Sequence, residues 1–192
     1  VKLFWNVRQT LYDLKNEKPQ TRWLIILGRW LSFLPQGIIY NSAKSAEQHV
    51  AVGFSAKKIN MIPNGFDLQK FCPDQNRRQQ LREELEVSES AILIGHISRL
   101  HPMKDHTTLL RAIDRVTENI SGSGSKQEVL FLLAGHGVTS ELSSNTAIRF
   151  LGERSDIPKI MSALDILASS SAWGEGFPNV IGEAMASEVP CV

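Results

Sequence analysis

The chain has 192 residues, 42% of them hydrophobic and 21% charged, and its 21 basic and 20 acidic residues leave a formal charge of +1. That length allows one large domain or two small ones around a sizeable core, and the near-neutral balance gives no electrostatic case for nucleic acid as a main partner. The two cysteines, Cys72 and Cys191, stand in no metal-ligand spacing; they argue against a disulfide scaffold and fit a reducing compartment.

In chain order, Val1 to Trp5 reads as a strand, with no initiator methionine and no signal-peptide pattern. Tyr12 to Lys18 is a polar connection. Arg22 to Leu34, preceded by Thr21 and closed by Pro35, is the most apolar segment and predicts a buried or half-buried helix. It is too short to span a bilayer. The sharper alternative is an interfacial helix with Trp23 and Trp30 at headgroup depth beside Arg22 and Arg29. Gly37 to Tyr40 is a short strand, Asn41-Ser42 caps a helix from Ala43 to Val52, Gly53 ends it, and Ile59 to Ile62 is the next strand. A turn over Pro63 to Asp67 marks a domain boundary.

Asn76 to Glu86 suits a surface helix, with Leu81 and Leu85 four apart. Ala91 to Ile97 is the near-continuous apolar run of a central parallel strand. A helix follows from Asp105 to Thr117, with Leu109, Leu110, Ile113 and Val116 on one side. Ser121 to Ser125 reads as a flexible connection, and its Gly-x-Gly follows a helix, so it is no dinucleotide fingerprint. Val129 to Ala134 is a buried strand, Ile148 to Leu151 a short one, Ile157 to Leu164 a helix, and Leu164 to Ala168 a further strand. Val189 to Val192 reads as the start of another, and the chain as a piece of a longer protein. This alternation is that of a doubly wound α/β sheet, in which ligands bind outside the carboxyl ends of the strands.

Three segments arrive at that end. Ser98 to Asp105 follows the strand ending at Ile97 and carries Arg99 and Lys104. Gly135-His136-Gly137 follows the strand ending at Ala134. The third is Ser169 to Ala186, which turns through Gly174 and Gly176 and enters a helix, with Glu175 in the loop and Glu183 within the helix. A glycine-bearing loop opening a helix presents backbone N–H groups to an anion. Carboxylates would repel a phosphate but accept well from hydroxyls. A diphosphate with neighbouring diols, as in a nucleotide sugar, meets both demands.

The block Glu175-Gly-Phe-Pro-Asn-Val-Ile-Gly-Glu183-Ala-Met-Ala resembles the signature of retaining glycosyltransferases of the group-1 (family 4) type, which have the GT-B fold. Tyr40-Asn41-Ser42, Ile62 to Asp67, and Phe71 with Pro73 are similar to that family's crossover between halves. The resemblance implies two Rossmann-like domains, the first largely missing and the second truncated at its C-terminal end. It places an acceptor-side part at 1–63, a linker at 64–75 and a nucleotide-sugar-binding domain at 76–192. By the same resemblance, Arg99 and Lys104 hold the donor diphosphate, the first as a planar fork and the second as a point charge. Glu175 accepts from the donor-sugar hydroxyls and Glu183 from the ribose diol. The N–H groups of Gly176 and Phe177 approach sugar and phosphate, the Gly135 turn lies against the nucleotide, and Arg154 lies near the base. Relatives carry an acidic residue where His136 stands, and His136 is given no role. Many also carry a histidine beside the donor sugar, where Arg8 or Gln9 stands here.

The reaction implied moves a sugar from a nucleoside diphosphate to an acceptor hydroxyl with retained configuration, in surface polysaccharide, lipopolysaccharide or glycolipid synthesis. The acceptor is a glycan or a lipid-linked one, and the location cytoplasmic or peripheral at the inner face of the membrane. No bound metal or other cofactor is expected, since no Asp-x-Asp or zinc-like histidine spacing occurs. A nucleotide-sugar epimerase and a non-catalytic nucleotide-binding relative share the architecture.

Overall fold

A short parallel sheet occupies the first part of the chain. In the computed structural model, which describes residues 2–11, 14 and 18–192, it has the order β1 (Phe4–Val7), β2 (Gly37–Tyr40), β3 (Ile59–Met61). Between the strands run α1 (Pro19–Leu31) and α2 (Ala43–Val52). Val1 and most of the polar connection expected over Tyr12 to Lys18 lie outside the described residues. The first strand is set later than its apolar start suggests, so Asn6 and Val7 belong to it and pair with Ile39 and Tyr40. The β2 and α2 expectations hold to the residue. Ser42 caps α2 by accepting from the Ser45 N–H, and Gly53 closes it at φ 108°, where a side chain would be strained.

Helix α1 departs from its expectation twice. It begins at Pro19, whose missing N–H is lost at no cost in a first turn, and it ends at Leu31 because Ser32 folds back on the Arg29 carbonyl. It is also not buried. Ile25 alone among its residues is buried, and Gly28 lies close enough to Phe54 that a Cβ would come 3.1 Å from the ring. Trp23, Leu24, Leu27 and Trp30 are 73, 69, 53 and 66% exposed.

The longer part of the chain builds α3 (Gln75–Glu84), β4 (Ile92–Ile97), α4 (His106–Gly122), β5 (Val129–Ala134), β6 (Ile148–Gly152), α5 (Ile157–Ala163), β7 (Ile166–Leu167) and α6 (Asn179–Ala186). Its sheet is wholly parallel in the order β6-β5-β4-β7. Leu93, Leu132 and Leu167 are fully buried from adjacent strands, each worth about 1.5–3 kcal/mol of apolar burial. The expected final strand is a bridge, Cys191 pairing parallel with Leu167. Helix α4 runs five residues past the expected Thr117 and takes up Ser121 and Gly122, because the amide of Ser123 still reaches the Asn119 carbonyl at 3.0 Å.

The chain divides into two compact units: Val1–Gly65 with Trp173–Pro178, and Phe66–Ala172 with Asn179–Val192. The stretch 64–75, expected as a linker, therefore splits after Gly65. Phe71 is buried in the second unit's core among Leu81, Ile160 and Met161.

One feature of the second unit was not foreseen. Helix α3 reads as a surface helix, yet Arg82 is 1% exposed. Its guanidinium donates to Asp165 at 2.9 Å and to the carbonyls of Ser88, Glu89 and Ala91. Arg78 takes the other oxygen of Asp165 at 2.9 Å, and that carboxylate also accepts the Leu93 N–H. A charge can stay buried only with such partners.

Candidate functional site

In the second unit the order of strands decides where a ligand can sit. The chain adds β5 and β6 on one side of β4 and then crosses to place β7 on the other. A crevice outside the carboxyl ends of the strands opens at such a reversal. The loops after β4 and β7 flank it, tied together by the Ser170 hydroxyl on the Lys104 carbonyl at 2.6 Å and the Ala172 N–H on the Met103 carbonyl at 2.9 Å. Arg99 and Lys104 are both on the β4 loop. Arg99 is exposed and, among the described residues, no carboxylate pairs with it; Lys104 is half-buried. Helix α4 starts directly behind, capped by Asp105 on the Thr108 N–H at 3.2 Å.

A buried polar chain underlies that loop. His106 Nε2 donates to Ser98 Oγ at 3.4 Å, Ser98 donates to His96 Nε2 at 2.8 Å, and His96 Nδ1 donates to the Ala168 carbonyl at 3.0 Å, directions assigned from the acceptor at its end. Burial, with the charges of His106 and Lys104, pushes His96 down to about 4. His106 is lowered by burial and by Lys104, so both rings are neutral at pH 7. Neither histidine stood out by spacing; the apolar run containing His96 was the only signal.

Gly135 lies against the same loop. Its φ is +146° and a Cβ there would run into the Ser98 carbonyl, while the Leu100 N–H reaches the His136 carbonyl at 2.8 Å. Gly135 N–H in turn donates to the Gly152 carbonyl at 2.7 Å. Arg154, which the resemblance puts near the base, stands just after β6. Its guanidinium is held by Asp156 at 2.7 Å and Glu84 at 2.9 Å, which raise its pKa further, so its donors are committed to α3 and the start of α5. His136 pairs with Glu153 at 3.1 Å on the surface. Glu183, half-buried on α6, has its carboxyl raised by burial and partly restored by Lys70. The turn before it is fixed by Gly182, where any Cβ would strike the Phe66 ring.

Glu175, Gly176 and Phe177 belong to the first unit and are organised there. Glu175 pairs antiparallel with Gln9, whose carbonyl the Ser45 hydroxyl holds, and Thr10 N–H meets the Gly174 carbonyl at 3.5 Å. Gly176 approaches Asn41 so closely that a Cβ would lie 2.5 Å from Oδ1. Asn64 donates to the Phe177 carbonyl at 3.4 Å and accepts from Arg8 at 3.2 Å and from Asn41 at 3.4 Å. Asn41 and Asn64, which the sequence offers as a cap and a turn residue within segments similar to the family's crossover, also shape the loop that carries Glu175. Arg8 and Gln9 border a cavity of ≈ 760 Å³ between β1 and α1. Among the described residues, no group of three or more His, Cys, Asp or Glu side chains is placed to hold a metal ion.

Residues 91–192, more than half of the chain, match the family model described as glycosyl transferases group 1. The chain belongs to the group 1 glycosyl transferases. It is 29% identical over 144 residues to the UDP-Gal:alpha-D-GlcNAc-diphosphoundecaprenol alpha-1,3-galactosyltransferase of Escherichia coli, an alignment covering 70% of this chain and 36% of that protein. A D-inositol 3-phosphate glycosyltransferase of Salinispora tropica is 30% identical over 158 residues, covering 70% of this chain and 31% of the relative. Among solved structures, Anabaena HepE in complex with UDP and glucose superposes with a TM-score of 0.81 at 26% identity, covering 99% of this chain and 52% of HepE. The chain thus spans about half the length of the group 1 transferases it matches, or less, and over that span its parallel α/β fold is that of GT-B glycosyltransferases.

Proposed function

We propose that this chain carries the donor site of a glycosyltransferase that moves a sugar from a nucleoside diphosphate to an acceptor hydroxyl. The observation that carries the reading is the β4 loop at the strand-order reversal. It sets Arg99 and Lys104 at the carboxyl ends of a parallel sheet, where cations favour a diphosphate. Glu183 is a partly desolvated carboxylate suited to accept from a diol, and Glu175 with the N–H groups of Gly176 and Phe177 suits the sugar. Gly135 packs the nucleotide side of the loop. Arg154, its guanidinium already engaged, contributes backbone rather than side chain near the base.

In this reaction the bond from the anomeric carbon to the diphosphate breaks and a bond from that carbon to the acceptor oxygen forms. The negative charge grows on the departing diphosphate, which Arg99, Lys104 and the amides of the glycine loop opening α6 stabilise more than the ground state. The acceptor proton passes to the departing diphosphate oxygen, on the face the donor leaves, so configuration is retained without a metal or other cofactor. The named activity of the E. coli relative supports a lipid-linked acceptor, and with it surface glycan synthesis in the cytoplasm at the inner face of the membrane. Among the described residues no helix is long and apolar enough to cross that membrane.

The test is calorimetric titration of the full-length protein with UDP, GDP and ADP, beside Arg99→Ala and Glu183→Ala. Binding of one diphosphate, weakened by both changes, is expected. No binding to any of them by the folded protein overturns the donor reading.

A further inference from the structure

Beneath the β4 loop the core of the second unit is polar where apolar side chains could pack. Ser98, which precedes Arg99, and His106, the first residue of α4, meet through Oγ and Nε2 at 3.4 Å. That contact closes the base of the loop 99–105, which carries Arg99 and Lys104. Ser98 is itself held at 2.8 Å by His96, whose Nδ1 reaches the Ala168 carbonyl just past β7 at 3.0 Å. The two imidazoles meet edge to face with centroids 5.0 Å apart. The outer side of the loop has its own ties to the segment after β7, from Ser170 to the Lys104 carbonyl and from Ala172 to that of Met103. The loop is thus fastened above and below, and the Gly135 backbone abuts the Ser98 carbonyl.

Packing alone does not account for these side chains. His106 is 6% exposed and, among the described residues, its Nδ1 has no hydrogen-bond partner. An unpaired buried acceptor costs stability that a leucine there would not. At 3.4 Å the bond to Ser98 is too long to offset that cost by strength. What it supplies is one geometry, since a buried polar network specifies an arrangement where an apolar core tolerates several. Arg99 extends from this loop exposed, and a cation on a loose loop loses more entropy on engaging a ligand than one on a fixed loop. We propose that Ser98 and His106 are positioning residues for the donor diphosphate, their bond clasping the loop so that Arg99 and Lys104 are in place before the ligand arrives. The inference rests on the donor reading and extends it to two side chains that act through the loop without touching the ligand.

The experiment titrates the full-length protein calorimetrically with UDP, GDP and ADP and follows thermal unfolding of the same samples. His106→Leu should weaken binding of the matching diphosphate about tenfold, as loss of preorganisation does. Its melting temperature should hold or rise, because the unpaired acceptor is gone. A side chain that only supported the fold would lower both together. His106→Gln, which keeps an N–H donor near the Nε2 position, should recover most of the binding. Ser98→Ala should lose about as much as His106→Leu, and the double variant no more than the weaker-binding single, since each removes the same bond. Binding that His106→Leu leaves unchanged overturns the proposal. So do a melting temperature that falls with the binding, no recovery in His106→Gln, or losses that multiply in the double variant. A wild-type protein that binds none of the three diphosphates strikes the donor reading and this one with it, whereas wild-type binding that the variants share strikes this one alone.

Discussion

On the proposed donor reading, Arg99 and Glu183 meet opposite demands of one ligand, and each yields a separable expectation. Arg99 is exposed with no carboxylate partner among the described residues, so its removal breaks no ion pair there. Arg99→Ala should leave the melting temperature unchanged while weakening binding of the matching nucleoside diphosphate about 10- to 100-fold, as loss of a charge-assisted pair does. Arg99→Lys should recover part of that, since a point charge replaces a planar fork. Glu183 behaves otherwise, because burial raises its carboxyl above the unfolded value. A raised acid favours the fold below its unfolded pKa, and that contribution is lost as pH rises through the folded one. Glu183→Gln should therefore raise the melting temperature at neutral pH, have no such effect in acid, and still weaken nucleotide binding. The positions of Arg99, Lys104 and Glu183 were legible because each follows an apolar strand or sits one turn into a helix. The engagement of Arg154 by Glu84 and Asp156 was not, since Glu84 is far away in sequence and only the packing of α3 brings it near.

At the scale of elements, close packing sets what α6 and α3 tolerate. Ala exceeds Gly in helix propensity by about 1 kcal/mol, so Gly182→Ala would stabilise an isolated α6. In the fold the added methyl meets Phe66, and overpacking of that kind costs about 1–3 kcal/mol. A net loss in urea unfolding is expected, with Phe66→Leu/Gly182→Ala recovering part of it. Asp165→Ala should cost more, about 3–5 kcal/mol by denaturant titration, because it strands a buried Arg82 and leaves the Leu93 amide short of an acceptor. Strands β2 and β5 and helix α2 were read to the residue because apolar runs and end signals coincide there. The end of α4 was missed because Ser121 and Gly122 look like a linker, and nothing local reveals that the helix carries on through them.

For the molecule as a whole, acid is the vulnerable side. Burial holds His49, His96 and His106 below the ordinary imidazole value, His96 at about 4. The unfolded chain takes up protons near pH 6.5 that the fold resists, so stability is lost as pH falls from there toward 4. For His96 the full extent is about 3 kcal/mol. Unfolding free energies measured from neutral pH down to about pH 4 should fall, and His96→Asn should flatten that limb. By itself the sequence determined the parallel α/β class, most strand and helix positions, and the loops that bear Arg99, Lys104, Glu175 and Glu183. Apolar periodicity, caps and glycines are local signals, and a parallel sheet puts the loop after each strand at one end whatever the strand order. Only the tertiary structure decided the order β6-β5-β4-β7, the tie of Glu175 to Gln9, the burial of Arg82 and the outward turn of α1. Each of these depends on which distant segment lies across a given face. A pattern of apolar residues says that a face wants cover and is silent on whether the fold supplies it.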